Sequence, residues 1–266
     1  MNQESSMIIT FPYYDPTGKY NEAFKRQMPT LKSAFGAICL SVVPPTAEEN
    51  ASFARYLEEQ GCFMFHNAAD APYGTHSREA LRLALEHAQP QQSIFFGFEH
   101  RILFALDTHW QGSFLEDLKT WQANECVIFE RSRTAWDTHP ANFREIEQMV
   151  SRMFEFMHGQ FIDLMPCAYI FSHSTANVIL NHSISASTEV WGEWVLLAIK
   201  NGIPMTRREA DWLAWKDPYW EHIEPGRLKH MRESSQQETI KRIKMNIPTM
   251  LMLTEERFRY LEMSND

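Results

Sequence analysis

Short apolar runs alternate with amphipathic helical segments through the first half of this chain, and this alternation is what most constrains its fold. Short, almost continuous apolar runs are typical of strands that are covered on both faces of a sheet. Helical segments between such strands favour parallel pairing, because a crossover helix returns the chain to the same edge of the sheet. We therefore predict one α/β domain with a three-layer, mostly parallel sheet and a more helical C-terminal half. The predicted neighbouring strands are Met7–Phe11, Ala37–Val43, Cys62–Phe65 and Ser93–Phe96.

Capping residues mark the boundaries of several helices. Thr46 and Glu49 have the spacing of a capping box, and Ser235 and Glu238 repeat it at the start of a C-terminal helix. Pro248 is expected to kink or split that last helix, because proline lacks the amide hydrogen that a helix interior uses. The other predicted elements are a strand at Cys126–Phe129 and helices at Asn21–Ala34, Thr46–Gln60, Ser77–His87, Ser113–Ala123, Ala141–His158, Ser174–Asn181 and Glu189–Asn201.

The charge balance limits the kinds of partner that this chain can bind. A formal net charge of −9 argues against non-specific binding of nucleic acid, which requires a basic face. The segment Lys200–Met245 carries ten Lys and Arg against seven Asp and Glu, so it is net +3 and the remainder is net −12. Either a site for an anionic ligand or a solvated basic face would produce this excess.

Cysteine usage and hydropathy predict a cytoplasmic protein. The four cysteines lie in or beside apolar runs without the spacing of a metal site, so they are interpreted as reduced core residues. The N-terminus shows no signal peptide, and no apolar run is long enough to form a transmembrane segment. The sequence does not predict an oligomeric state.

The stretch Gln92–His109 carries the strongest candidate for a functional site. A buried strand ends at Gly97, and Glu99, His100 and Arg101 follow at the position where open α/β sheets bind ligands. An acid beside an imidazole can hold a divalent cation, although most strand-end charges are only solvated. Side chains alternate along a strand, so both can face a cleft only if Gly97 permits a bulge. We predict that His100 faces the cleft and binds the cation as neutral imidazole, with Glu99 as its neighbour.

Five stretches in order along the chain resemble a known family of enzymes. They are ITFPYYDPTGKY (Ile9–Tyr20), FHNAADAPYGTHSREALRLAL (Phe65–Leu85), FFGFEHRILFAL, WGEWVLLAIKNGI (Trp191–Ile203) and WLAWKDPYW (Trp212–Trp220). Together they are similar to nucleotide-diphospho-sugar glycosyltransferases of the A-type fold. The branch they resemble is the bacterial one that is similar to mannosylglycerate and glucosyl-phosphoglycerate synthases. This resemblance implies a Rossmann-like sheet, a nucleotide-sugar donor and a small-molecule or lipid acceptor.

The resemblance also implies a division of the single domain and a set of donor-binding residues. A nucleotide-binding half would span residues 1–110, an acceptor half 111–230 and a C-terminal helical segment 231–266. The residues implied to bind the donor are Tyr13 and Asp15 at its base and ribose, Asn67 and Arg78 at its phosphates, and Arg101, which aligns with an arginine of the family.

The implied metal site departs from the family pattern. Relatives carry an Asp-any-Asp motif that binds Mn²⁺ or Mg²⁺, and here Phe98 and His100 stand at its two acidic positions. The resemblance therefore implies a metal held by His100, Glu99 and a late histidine, His222. Phe98 cannot ligate a metal.

Glu193, which is flanked by tryptophans, is the candidate residue for binding or activating the acceptor. A carboxylate in aromatic surroundings can bind an acceptor hydroxyl or act as a base, and Glu193 is the predicted catalytic residue. The tryptophans of Trp212–Trp220 form either a wall for sugar stacking or a tether for the C-terminal helix. The predicted function is metal-assisted sugar transfer. The alternative is a catalytically silent relative that serves as a binding or scaffold protein.

Overall fold

One seven-stranded sheet forms the frame of the molecule. The structure is a computed structural model, and it describes residues 7–258. The strands are β1 (Ile8–Tyr13), β2 (Ala37–Val42), β3 (Phe63–His66), β4 (Ser93–Phe96), β5 (Cys126–Arg131), β6 (Tyr169–Ser172) and β7 (Met205–Ala210). Their order across the sheet is β3-β2-β1-β4-β6-β5-β7. Strand β6 is antiparallel to β4 and β5, and the other adjacent pairs are parallel. The predicted mostly parallel sheet is confirmed, and the four predicted strands lie side by side.

Strands β6 and β7 are absent from the prediction. Strand β7 reads MTRREA and is partly exposed at the edge of the sheet, so it lacks the apolar run that marks a buried strand. Strand β6 has only four residues and leads directly into a helix, which leaves little room for a pattern of its own.

Helices cover both faces of the sheet and produce the predicted three layers. One apolar cluster packs α1 (Asn21–Ala34), α5 (Glu99–Leu106) and α6 (Gln111–Trp121) against one face. A second cluster packs α4 (Tyr73–His87), α8 (Ala141–His158), α9 (His173–His182) and α10 (Val190–Lys200) against the other. The remaining helices are α2 (Pro44–Glu49), α3 (Ala51–Glu59), α7 (Arg133–Thr138), α11 (Asp217–Glu221), α12 (Pro225–Glu233) and α13 (Gln236–Leu253).

The capping box predicted at Thr46, and the single helix that it would begin, are wrong. Thr46 does not cap a helix: it lies inside α2, and its hydroxyl accepts the backbone N–H of Asp15 at 2.7 Å. The predicted helix Thr46–Gln60 is instead divided at Asn50 into α2 and α3. Pro248 lies inside α13 without splitting it. The N-cap at Ser235 is confirmed, because its side chain accepts the backbone N–H of Glu238.

The connections on either side of β1 create the position for a ligand site. From β1 the chain moves outward to β2 and β3, and it then returns to place β4 on the other side of β1. This reversal is a topological switch point, where the loops after two adjacent strands diverge and leave a crevice. The sheet is continuous from β3 to β7, and the finer division of the chain into halves stays a prediction.

The predicted core character of the cysteines agrees with their placement. All four are buried and free. Within residues 7–258, no helix has both the length and the apolar character that crossing a bilayer requires.

Candidate functional site

A cleft of about 760 Å³ opens at the switch point. Tyr14 follows β1, and Phe98 to Arg101 follow β4, so these loops form one wall. Strands β5 and β7 end at the same edge and deliver His139 and the segment Trp215–Asp217. Because β6 is antiparallel, its beginning lies at this edge, and Met165 ahead of it also lines the cleft. The remaining wall comes from α8, α10, α12 and α13.

Glu99 and His100 are brought into the cleft by a helix and not by a bulged strand. Phe98 is extended and precedes the first turn of α5, in which Glu99, His100 and Arg101 are successive residues. Successive residues of a helix are about 100° apart, so all three can border one crevice. The strand alternation that we expected does not apply for this reason. His100 lines the cleft, and its predicted role as a metal ligand stays a prediction.

Glu99 is a buried carboxyl group at the floor of the cleft. Its side chain is 4% exposed, and its Oε1 lies 3.6 Å from Nδ1 of His100. Burial raises the pKa of Glu99 to about 8, and the nearby carboxylate of Asp15 adds to this rise. Backbone hydrogen bonds from Glu99 itself and from Tyr14, and the charge of Lys216, lower the pKa by less. Glu99 can therefore gain or lose a proton near neutral pH, which suits a general acid or base.

We expect Glu99→Gln to stabilise the fold at alkaline pH. The folded protein holds a proton on Glu99 up to a pKa of about 8, against an ordinary value of 4.5, so wild-type stability falls as pH rises between these values. The glutamine variant escapes this loss, and its free energy of unfolding should exceed that of wild type by on the order of 3 kcal/mol at pH 8. Urea denaturation at pH 4 and pH 8 measures the difference. Equal stability of the two proteins at both pH values would contradict the raised pKa.

His100 is held between an aromatic ring and several cations. The rings of Phe98 and His100 stack with centroids 5.6 Å apart and an interplanar angle of 4°. Phe98 also meets Trp191 edge-on at 5.2 Å. Burial lowers the pKa of His100 well below its usual range, and the positive charges of Lys216 and Arg101 lower it further. The imidazole is therefore neutral at pH 7.

Cations from different elements face this wall of the cleft. Lys216 lies at the start of α11 and pairs with Asp217 at 2.7 Å. Arg242 of α13 pairs with Glu147 at 2.8 Å. The guanidinium of Arg101 differs from both, because it forms no hydrogen bond and no ion pair within residues 7–258, while the backbone N–H of Arg101 donates to the carbonyl of Phe98. The other cations of the lining are Arg232 and Lys241. This arrangement is suited to an anionic ligand.

The four residues predicted to hold the donor's base, ribose and phosphates lie near the cleft but do not line it. Tyr13 is fully buried and packs edge-on against Phe24, because as the last residue of β1 it points into the core. The carboxylate of Asp15 closes its own loop by accepting the backbone N–H groups of Lys19 and Tyr20, at 2.8 and 2.7 Å. Donor binding by these residues stays a prediction. Tyr14 is the residue of this loop that faces the cleft.

The side chains of Asn67 and Arg78 are also engaged in hydrogen bonds within the protein. The amide of Asn67 donates to the hydroxyl of Ser41 at 2.7 Å, and to the carbonyl of Val42 at 2.9 Å. The guanidinium of Arg78 donates to the carbonyl of Ser185, and to the hydroxyl of Thr75 at 3.2 Å. Both side chains therefore hold neighbouring loops in place.

Glu193 lies outside the cleft, in a closed network of its own. Its carboxylate is fully buried. It accepts the hydroxyl of Ser183 at 2.5 Å and the backbone N–H groups of Ile184 and Ser185 at 3.0 and 3.2 Å. Arg257 supplies an ion pair at 2.7 Å. This placement argues against the predicted role as a base, because every oxygen of the carboxylate is engaged in holding a loop.

The implied metal ligands do not come together as a complete site. His222 is exposed, has a positive φ of 53° at the end of α11, and does not line the cleft. Within residues 7–258, no three side chains of His, Cys, Asp or Glu are placed to hold a metal ion. Asp217 is near His100 but is engaged by Lys216. The donor set present therefore does not fit a divalent cation.

Several cleft residues escaped sequence reasoning. Lys216 and Asp217 lie within the stretch WLAWKDPYW, in which only the tryptophans were predicted to have a role. Arg242 and Lys241 belong to the segment with excess positive charge, which was the available signal for them. His139 and Glu147 gave no signal, because only the fold brings them to the cleft.

Comparisons with known proteins return structural neighbours only. No protein-family model matches the sequence, and no curated protein is significantly similar to it. One solved structure that the chain is similar to is glucosyl-3-phosphoglycerate synthase from Mycobacterium tuberculosis in complex with Mn²⁺, UDP and glucosyl-3-phosphoglycerate. The identity is 9%, the TM-score is 0.42, and the match covers 77% of this chain and 70% of that one. A further structure of the M. tuberculosis synthase matches with 11% identity and a TM-score of 0.47, over 93% of this chain and 80% of that one.

A different nucleotide-handling enzyme matches to a similar degree. It is 4-diphosphocytidyl-2C-methyl-D-erythritol synthase from Anaerococcus prevotii, with 10% identity, a TM-score of 0.48, and coverage of 90% of this chain and 97% of that one. Likenesses this distant concern the fold, and the residues of the cleft itself must carry any proposal of function.

Proposed function

We propose that this chain transfers a sugar from a nucleotide diphosphate donor to a small-molecule or lipid acceptor. The observation that carries the proposal is the cleft at the β1/β4 switch point, whose lining combines apolar and aromatic side chains with cations from several elements. Open α/β sheets bind nucleotides at such crevices. A ligand that is aromatic at one end and strongly anionic in its middle matches this lining.

We assign the donor's base to the side of the cleft that is formed by the ends of β1 and β2 and by the loop after β3. Pro12, Tyr14, Val43 and Ala71 line this side. Tyr14 is 55% exposed, so its ring is available for stacking on a base. From there the diphosphate would extend toward Arg101 and Lys216 across the end of β4.

Glu99 is the group that we propose to handle the proton of the acceptor. In the transfer, an acceptor hydroxyl attacks the anomeric carbon and the bond from that carbon to the phosphate oxygen breaks. The electron pair of the broken bond leaves on the diphosphate, and the hydroxyl proton passes to the carboxylate of Glu99. A pKa of about 8 makes this carboxylate a good proton acceptor in mildly alkaline solution. No step is assigned to a metal ion, because the donor set does not fit one.

Phe98 favours the second candidate function, a relative that binds nucleotide sugars without transferring them. Its ring lines the cleft and stacks on His100, where the family pattern has an acidic residue. Loss of a motif residue with retention of the crevice is what a binding protein of this fold would show.

A nucleotide-sugar panel tests the proposal. We expect at least one of the UDP-, GDP- or ADP-sugars to raise the melting temperature of the protein. We also expect that donor to be slowly cleaved to nucleoside diphosphate and free sugar, as followed by mass spectrometry. Glu99→Gln should retain binding and lower the cleavage rate on the order of 100-fold, the usual contribution of a positioned base.

The outcomes separate the two candidate functions. Binding of a nucleotide sugar with no cleavage by wild type supports the silent binding protein. Cleavage at equal rates by wild type and Glu99→Gln removes Glu99 from the mechanism. A protein that no nucleotide or nucleotide sugar stabilises contradicts both functions.

A further inference from the structure

Arg101 is a cation that the fold places in the cleft without a partner. Its backbone lies in the first turn of α5, and no side-chain or backbone group within residues 7–258 accepts a hydrogen bond from its guanidinium. Burial lowers the pKa of Arg101, and the like charge of Arg131 lowers it further, while Glu147 and Asp217 raise it. Arg101 is partly exposed at the cleft, so the donors of its guanidinium are open to an anionic ligand.

The surroundings of His100 repel a cation and attract an anion. Lys216 and Arg101 act on the imidazole from two elements, and Lys19 adds a third positive charge, against the single carboxylate of Asp217. Asp217 already forms an ion pair with Lys216. Cations from three parts of the chain therefore surround the imidazole at which the family pattern implies a metal.

Phe98 makes the same position unsuitable for a metal by its shape. The side chain is 9% exposed and fills the space between His100 and Trp191 with an apolar ring. A hard divalent cation requires oxygen ligands or water on most sides. The Phe98 ring occupies one of those sides and has no atom that can coordinate the cation.

Building on the proposed function, we propose that this cleft binds the diphosphate of its donor without a divalent metal, through Arg101 and Lys216. The planar guanidinium of Arg101 can pair two phosphate oxygens at once. Lys216 supplies a compact charge near the same imidazole, and Lys241 also lines the cleft. These side chains supply the positive charge that neutralises the departing diphosphate.

Calorimetric titration of UDP, GDP and ADP in EDTA, and then in Mn²⁺, tests this assignment. For the nucleotide that binds most tightly, we expect affinities in EDTA and in Mn²⁺ that agree within about threefold. Arg101→Ala should weaken its binding at least tenfold, which is about 1.4 kcal/mol. Arg101→Lys should restore part of the loss. Arg82→Ala is the matched control, because Arg82 forms an exposed pair with Glu79 outside the cleft, and its binding should equal that of wild type.

Failure of this inference is distinguishable from failure of the proposed function. Binding that disappears in EDTA, returns with Mn²⁺ and is abolished by His100→Ala overturns the metal-free assignment and leaves the proposed function intact. Metal-free binding that is unchanged in Arg101→Ala also overturns the assignment. Binding of inorganic pyrophosphate in EDTA without binding of any nucleotide keeps the anion site and contradicts the nucleotide-sugar function.

Discussion

Replacement of Arg131 by methionine should destabilise the protein by about 3–5 kcal/mol, the usual cost of removing one partner from a buried ion pair. The Arg131 side chain is fully buried and donates to Asp163 through two nitrogens, each at 2.7 Å. It also donates to Glu147, and its guanidinium lies 3.5 Å from the ring centre of Trp136. Methionine fills similar space but leaves two buried acids without their shared cation.

The lowered pKa of Glu147 predicts that the effect of this replacement depends on pH. Burial acts to raise its pKa, but the charges of Arg131 and Arg242 lower it to about 2. A lowered pKa in the folded state means stability that is present above pH 4.5 and lost as pH falls toward 2. Without Arg131 this contribution shrinks, so the variant should be most destabilised near neutral pH, with a smaller difference from wild type at pH 3.

Urea denaturation at pH 7 and pH 3 measures both effects. Arg152→Met is the matched control, because Arg152 is 72% exposed and its ion pair with Glu155 lies on the surface. Its effect should stay below about 1 kcal/mol. A loss of stability for Arg131→Met that is no larger than that of the control would show that the buried ion pairs of Arg131 do not stabilise the fold.

Replacement of Glu193 by alanine should cost about 3–5 kcal/mol, because it removes a buried charge on which several donors converge. The variant leaves a hydroxyl, two backbone N–H groups and Arg257 without their acceptor. The loop that these groups belong to packs tightly on α4: a Cβ on Gly74 would lie 2.2 Å from the carbonyl oxygen of Ser185. Loosening of this loop therefore reaches the start of α4, where Tyr73 and His76 line the cleft.

Glu193→Gln separates this structural role from the predicted catalytic one. Glutamine keeps one acceptor oxygen, so its stability should lie between those of wild type and the alanine variant. At a temperature where Glu193→Gln is fully folded, we expect nucleotide binding and donor cleavage at wild-type levels. Cleavage that drops about 100-fold in a stable, nucleotide-binding Glu193→Gln protein would restore the role as a base.

The part of the fold that the sequence predicts best is the part held by local apolar patterns. Strands β1, β2 and β4 are buried on both faces, so their residues form continuous apolar runs. Helix α8 has the predicted bounds because its apolar face repeats regularly over eighteen residues. Strand β7 forms only because β5 pairs with it along its whole length, and MTRREA alone carries no strand signal.

The site was harder to predict because single-residue shifts decide which side chains face it. Strand β1 ends at Tyr13, so Tyr13 points into the core and Tyr14 into the cleft. A shift of one residue in the register of β1 would have exchanged them. Likewise, α5 begins at Glu99, and this places both Glu99 and His100 on the cleft, where a continuing strand would have separated them.

The cation wall depends on long-range packing. Arg242 reaches the cleft because α13 packs along α8, with the Arg242 guanidinium 4.0 Å from the ring centre of Phe143. Lys216 arrives through β7, which the sequence did not predict. The sequence shows the excess of positive charge in Lys200–Met245, but it does not show that part of this charge lines the cleft.

The most direct test of the central claim is a crystal structure with the nucleotide that binds most tightly. We expect the base of this nucleotide beside Tyr14 and its diphosphate against Arg101 and Lys216, at the carboxyl ends of β1 and β4. A nucleotide bound elsewhere, or one in the cleft whose diphosphate leaves Arg101 uncovered and lies on a metal held by His100, would contradict it.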